Sequence, residues 1–325
     1  MKFVLLEGEK NYWFFWHVLG AIPFVLLLIF LSLKLSYAEK RIILAVESLP
    51  FPDPIVASAK QGANLGLWYS LSYRLQSQTW DESNGELLHT WREILADPDT
   101  VGVICTFSGH QAEKLFRLCL RFQKECLSIR PASPLVPDVN HASDVPEGGS
   151  FDREFALMAN ASTTRQLPRR IGVLYVDDSF GKSLFQRWRQ VVYPNLPSQP
   201  PIVSIPVSSE VTSLTKAISN LTNSATDQLW IFASAPWNCL MARQAREAGI
   251  IGPILLVDGD ACRTWSHFLP PDNQIIFPFS TLDPASNAKA FRDSFSNTFR
   301  SEPDIFAYQA YRMSQFLLSG EPGTQ

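Results

Sequence analysis

The chain has 325 residues, of which 46% are hydrophobic and 18% charged, and its formal net charge at pH 7 is -3. This composition is typical of a globular protein rather than a disordered one, and the length allows two domains of ordinary size. The slight acidic balance and the absence of a block of Lys and Arg argue against a nucleic-acid-binding protein.

The chain begins with a long apolar stretch at residues 18–33, which follows an aromatic cluster at residues 12–16. Extended to residue 35, this stretch approaches the roughly 20 residues that span a bilayer. One interpretation is a signal peptide, with Ser36 and Ala38 placed for cleavage before Glu39. The other is an uncleaved membrane anchor, which Glu7 and Glu9 in the long leader favour.

Residues 41–129 alternate between strand and helix patterns. Apolar runs at 41–46, 75–80, 101–105 and 126–129 predict strands, and amphipathic patterns at 55–71, 87–95 and 115–122 predict helices. Regular alternation of this kind predicts an α/β fold in which a parallel sheet is covered by helices on both faces.

The five cysteines, and the histidines, give no metal pattern. An odd number of cysteines leaves at least one thiol unpaired unless it bonds another chain, and no CxxC motif occurs. Buried free thiols are the favoured interpretation, and the five histidines have no ligand spacing. We therefore predict no metal and no cofactor, and leave the pairing of the cysteines open. The cysteines are Cys105, Cys119, Cys126, Cys239 and Cys262.

Residues 135–149 are rich in Pro, Asp and Gly, have no apolar periodicity, and predict a crossover between two lobes. Strand patterns then return at 171–176, 202–207, 229–232, 254–257 and 275–279. Helical patterns accompany them at 155–161, 184–192, 214–221, 238–250, 290–299 and 306–311. The second half of the chain is therefore predicted to form a second parallel sheet.

The turn that follows the strand at 171–176 is the first candidate site. Asp177, Asp178 and Ser179 end the strand with side chains suited to capping a helix, and Phe180-Gly181 follow. Ligands of open α/β sheets bind at the carboxyl ends of strands, so this turn lies where a site is expected.

Three segments carry a family resemblance. They are the strand-Asp-Phe180-Gly181 turn, residues 243–249 with the sequence RQAREAG, and the Pro303-Asp304 segment followed by Ala310-Tyr311. In these segments, and in their order over about residues 41–318, the chain resembles the branched-chain amino acid binding proteins of the periplasmic binding protein type I family. These are extracytoplasmic solute receptors of ABC transporters, and the family continues for a few dozen residues beyond the last of these segments.

The resemblance implies a two-lobed type I periplasmic-binding fold, each lobe a parallel sheet flanked by helices, preceded by an N-terminal hydrophobic helix. Residues 39–143 and 279–325 would form lobe 1, residues 144–278 lobe 2, and residues 1–38 a signal or membrane anchor. It also implies that Gly62-Ala63 lets the first helix pack closely on its sheet.

The resemblance further implies where a ligand binds. Small residues at two strand ends of lobe 1 would hold a ligand carboxylate, Phe180 would form an aromatic wall, and Asp258 would pair with a ligand ammonium. Gly109 stands where the family has a second hydroxyl residue, and Pro134 also replaces one. The full predicted ligand-binding set is Ser108, Gly109, Ala132, Ser133, Phe180, Ser234 and Asp258.

The predicted function is solute binding for ABC-type uptake, with an amino-acid-like ligand and an ABC permease or membrane signalling partner, in the periplasm and tethered to the inner membrane. The alternative is a membrane-anchored sensor or scaffold of the same fold with altered or lost ligand binding. An enzyme is not predicted. Gly181-Lys182-Ser183 lacks the earlier glycine of a phosphate-binding loop, since Val176 stands there.

Overall fold

The computed structural model describes residues 39–49, 53–68, 70, 72–130, 155–156, 158–160, 168–196, 199–208, 214–258, 261–262, 275–276 and 286–319. The predicted N-terminal hydrophobic helix, the predicted crossover at 135–149, and Ala132 and Ser133 lie outside these residues. The predicted lobe boundaries stay a prediction. Within the described part of the chain, no helix has the length and apolar character that a membrane span needs.

The first sheet has four strands in the order β2-β1-β3-β4. β1 pairs in parallel with β3, and β3 pairs in parallel with β4. The two central strands, β1 and β3, are apolar runs rich in β-branched residues, as expected of buried parallel strands. Its elements are β1 (Lys40–Glu47), α1 (Pro54–Leu67), β2 (Tyr73–Trp80), α2 (Leu87–Ala96), β3 (Thr100–Cys105), α3 (His110–Arg121) and β4 (Glu125–Ser128).

The second sheet has five strands in the order β6-β5-β7-β8-β9, and every neighbouring pair is parallel. Of the strand that the sequence predicts at 275–279, residues 275–276 are described and form β9, and residues 277–279 lie outside the described residues. The elements are β5 (Ile171–Val176), α4 (Ser179–Val191), β6 (Ile202–Val207), α5 (Thr215–Asn223), β7 (Gln228–Phe232), α6 (Trp237–Glu247), β8 (Ile254–Leu256) and β9 (Ile275–Ile276).

Both sheets bury residues on both faces. In β1, Ile42 and Leu44 belong to one apolar cluster, whereas Ile43 belongs to another on the opposite face. Successive side chains of a strand point to opposite faces, so this division requires apolar cover on each side. In β7, Ile231 and Trp230 are divided in the same way. The prediction of two parallel sheets flanked by helices is confirmed.

The last two helices, α7 (Ser286–Phe299) and α8 (Ile305–Ser319), follow the second sheet, and α8 packs against α1 and β3 of the first sheet. A Cβ atom on Gly62 of α1 would lie 1.9 Å from the carbonyl oxygen of Ala307, so only glycine fits there. Ser58 Oγ also donates a hydrogen bond to Asp304 Oδ1 at 2.6 Å. The close neighbour of Gly62 is thus the backbone of α8, whereas Ala63 lies in the apolar cluster that contains Ile42 and Leu44 of β1.

Two cysteines are joined rather than free. Cys239 in α6 and Cys262 after β8 form a disulfide, with Cα atoms 5.7 Å apart. Cys105, Cys119 and Cys126 are buried free thiols, as the sequence favours. The pairing, which the sequence leaves open, joins the start of α6 to the segment after β8, two positions that are 23 residues apart.

Candidate functional site

The carboxyl ends of strands from the two sheets meet through a group of polar contacts. Ser108 follows β3 and Arg130 follows β4 in the first sheet, whereas Ala235 follows β7 and Asp258 follows β8 in the second. We call the region formed by Ser108, Arg130, Ala235 and Asp258 the cleft. It lies at the edge where open parallel sheets bind ligands.

Asp258 is the centre of the cleft. It is buried, and its backbone has φ 57°, a left-handed conformation that Asp adopts more readily than most residues. Its Oδ1 atom accepts a hydrogen bond from Arg130 Nε at 3.3 Å. Its Oδ2 atom accepts from Ser108 Oγ at 2.9 Å, from the Ala235 N–H at 3.1 Å and from Arg130 Nη2. These contacts use most of the acceptor capacity of the carboxylate, with three donors on Oδ2 and one on Oδ1.

Arg130 is the cationic partner of Asp258, and both side chains are almost fully buried. Its Nη2 atom also donates to Ser108 Oγ at 3.0 Å and to the carbonyl oxygen of Ala235 at 3.1 Å. Burial by itself lowers the pKa of Arg130, but the charge and hydrogen bond of Asp258, together with the charges of Asp53 and Glu47, raise that pKa overall. The guanidinium therefore stays charged and links the two sheets through a paired, hydrogen-bonded contact.

Gly109, Ser234 and Phe180 lie together beside this ion pair. Gly109 has φ 85°, and a Cβ atom there would lie 3.3 Å from Ser234 Oγ and 3.9 Å from Phe180 Cδ1. A serine at this position would meet both backbone strain and a tight contact. Phe180 is buried in the core of the second sheet with Val173 and Leu184. The Phe180 ring is therefore part of the apolar core and also lies next to Gly109.

Two acidic residues of the first sheet face the same region, and sequence reasoning missed both. Glu47 ends β1, and Asp53 caps α1 by accepting a hydrogen bond from the Ile55 N–H at 2.9 Å. Burial raises the pKa of Glu47 to about 7, although the charge of Arg130 lowers it in part. Burial likewise raises the pKa of Asp53. The sequence did carry a signal for these two residues, because Glu47 lies at the end of a strand and Asp53 at the start of the following helix.

A second set of contacts joins the N-terminal ends of α3 and α4. Ser179 Oγ donates a hydrogen bond to Glu113 Oε2 at 3.1 Å, and His110 Nδ1 lies 3.7 Å from Asp178 Oδ2. We call these four residues the rim bridge. Asp178 also caps α4 through Oδ1, which accepts from the Gly181 N–H at 2.7 Å, so the predicted capping role of this turn is confirmed.

The structure thus brings five predicted residues into two adjacent groups, Ser108 with Asp258, and Gly109 with Phe180 and Ser234. Arg130 was not predicted, although a charged residue directly after a buried strand was a signal for it. Among the described residues, no group of three or more His, Cys, Asp or Glu side chains is placed to hold a metal ion.

No protein-family model matches the chain, and no curated protein sequence matches it. Solved structures do. The substrate-binding protein LivJ of Streptococcus pneumoniae, in complex with isoleucine, aligns with a TM-score of 0.63 and 16% identity over 85% of this chain and 81% of its own. The leucine-binding protein LivK of Thermotoga maritima aligns with a TM-score of 0.64 and 14% identity over 84% and 79%.

A solute-binding protein of an ABC transporter from R. palustris, in complex with benzoate, aligns with a TM-score of 0.59 and 12% identity over 86% of this chain and 79% of its own. The chain has the two-lobed type I periplasmic-binding fold. At these identities the likeness establishes the architecture, and the chemistry has to be argued from the cleft itself.

Proposed function

We propose that the protein is an extracytoplasmic solute-binding protein that closes on a small polar ligand for ABC-type uptake. The observation that carries this proposal is the cleft. Polar side chains from the strand ends of both sheets, Ser108 and Arg130 on one side and Asp258 on the other, meet within hydrogen-bonding distance. Structural neighbours with this architecture have isoleucine or benzoate bound.

The disulfide supports a location outside the cytoplasm. Disulfides persist in oxidising compartments and are rare in the cytosol. The Cys239–Cys262 bond joins α6 to the segment that follows Asp258, so it braces the part of the second sheet that carries the cleft carboxylate. A membrane tether through residues 1–38 is part of the same proposal.

Closure would bring two groups of residues together around a solute. Ser108 and Gly109 follow a strand of the first sheet, whereas Phe180, Ser234 and Asp258 follow strands of the second. The predicted Ala132 and Ser133 remain part of the proposed site. Hinge motion of two lobes opens such a cleft and closes it again. Binding and release of this kind need no catalytic group, and we propose a transport receptor rather than an enzyme, with an ABC permease as its partner.

The proposal is tested by a thermal-shift screen of the full chain in detergent against amino acids, organic acids and related metabolites. A ligand that binds only the folded state adds about 2.7 kcal/mol of stability at a hundred times its dissociation constant. We expect one chemical class to raise the melting temperature, and Arg130→Ala, which removes a buried side chain of the cleft, to change which compounds do so. Asp293→Ala removes an exposed carboxylate of α7 and should leave the shift intact.

The second candidate is a membrane-anchored sensor or scaffold with no solute. The observation in its favour is the buried ion pair of Arg130 and Asp258. These two residues neutralise each other's charge without a solute. A cooperative melt that no compound in the screen shifts would favour this candidate over the receptor.

A further inference from the structure

The hydrogen-bond acceptor of the cleft, the Asp258 carboxylate, already accepts hydrogen bonds from other residues of the protein. An α-amino acid presents an ammonium group, which needs a carboxylate with acceptor positions to spare. Asp258 has little capacity to spare, since three donors contact Oδ2 and the buried guanidinium of Arg130 contacts both carboxylate oxygens. An entering ammonium group would have to displace the buried guanidinium.

Among the described residues, the N–H donors of Arg130 are not all matched by close acceptors. A guanidinium carries five N–H donors. Within the described part of the chain, the Nη1 atom of Arg130 has one acceptor, the carbonyl oxygen of Thr106, at the long distance of 3.5 Å. Arg130 also lies against Ser108, next to the start of α3, where Gly109 provides no capping side chain. An oxygen acceptor on a ligand is what this arrangement can still satisfy.

We propose that Arg130 sets the specificity of the cleft by taking the place of a ligand ammonium on Asp258. The cleft then selects organic carboxylates that carry no ammonium group. The carboxylate would accept from Arg130 Nη1 and from the start of α3, where the helix dipole favours negative charge. This inference rests on the proposed function and names the class of solute.

The acidic neighbours of Arg130 are compatible with an anionic ligand. Burial raises the pKa of Glu47 to about 7, so a large fraction of this side chain is neutral at neutral pH. The Asp53 carboxylate accepts the hydrogen bond of the Ile55 N–H at the start of α1, where the helix dipole partly offsets its charge.

Matched ligand pairs test the proposal on the unmodified protein. Isothermal titration of the full chain in detergent would compare leucine with 4-methylpentanoate and phenylalanine with 3-phenylpropanoate, so that each pair differs by the amino group alone. We expect the deaminated acid to bind roughly ten- to a hundredfold more tightly, the range of a hydrogen bond to a charged group. Tighter binding of the amino acid would overturn the inference but leave the receptor function standing. Binding of neither member of any pair, with no shift in the wider screen, would overturn both.

Variants of Arg130 give a second readout. Arg130→Ala frees the acceptor positions of Asp258. It should therefore weaken the binding of the deaminated acids and allow the amino acids to bind. Arg130→Lys keeps the positive charge and serves where the alanine variant does not fold. It should still prefer the acids, but bind them more weakly than the wild type. Arg243→Ala removes an exposed arginine of α6 and should change neither preference. Unchanged preference in both Arg130 variants would contradict the inference.

Discussion

Two sets of contacts join the elements of the first sheet to those of the second, and they differ in burial. Arg130 and Asp258 in the cleft are 3% and 2% exposed at the side chain, whereas His110 and Asp178 in the rim bridge are 34% and 24% exposed. Charges at the rim are screened by water and salt. A buried pair is expensive to break, because each partner left alone is an uncompensated buried charge. A single substitution in the cleft is therefore expected to cost more stability than one in the rim bridge.

The largest expected effect is at Arg130. In the solute-free protein, Arg130→Ala leaves Asp258 buried without its cation and should lower the free energy of unfolding by about 3–5 kcal/mol. Urea denaturation followed by circular dichroism measures this loss. Arg243→Ala breaks an exposed pair with Glu247 and should cost less than about 1 kcal/mol. Equal losses in the two variants would remove the distinction between the buried and exposed pairs.

The next effect comes from Glu47 and depends on pH. In the folded chain the Glu47 carboxyl keeps its proton up to about pH 7, because its pKa is raised to about 7. In the unfolded chain it loses that proton near the ordinary pKa of 4.5. The folded state therefore binds more protons between these values, so this residue makes the free energy of unfolding fall as pH rises from 4.5 to 7. The difference of about 2.5 pKa units corresponds to about 3 kcal/mol.

Glu47→Gln mimics the protonated side chain and should remove this part of the pH dependence, which leaves the variant more stable than the wild type at pH 8. Denaturation curves at pH 5 and pH 8 measure it. Glu302→Gln, on an exposed residue, is the control and should follow the wild type. If Glu47→Gln and the wild type lose the same stability between these pH values, Glu47 is not buried as described.

The smallest effect is expected at the rim bridge. Ser179→Ala removes the hydrogen bond to Glu113 and should lower the free energy of unfolding by about 1 kcal/mol or less. Ser219→Ala removes an exposed hydrogen bond within α5 and gives the baseline for such a change. A loss at Ser179 as large as that at Arg130 would show that the rim, and not the cleft, joins the two sheets.

The fold was predictable because its signals are local. The apolar run at Ile171–Val176 and the caps that follow it specify a strand and a helix from neighbouring residues alone. The close contact of Gly62 with Ala307 could not be predicted in this way, since 245 positions separate the two residues and only the packing of α1 on α8 brings them together.

The site was predictable in part for the same reason. Ser108 and Asp258 follow strands, and the rule that ligands bind at strand ends identifies such positions without a structure. Arg130 also follows a strand, but its partner lies 128 residues away, and no local pattern pairs them. The Cys239–Cys262 disulfide could not be predicted either, because the number of cysteines does not determine which of them form a disulfide.

The most direct test is a double-mutant cycle on Arg130 and Asp258 in the solute-free protein. Unfolding free energies would be measured for the wild type, Arg130→Met, Asp258→Asn and the double variant. We predict a coupling energy of about 2 kcal/mol or more, because neighbours in one buried network are strongly non-additive. Additive losses, within about 0.5 kcal/mol, would mean that the two side chains do not pair and that the acceptors of Asp258 stand open to a ligand.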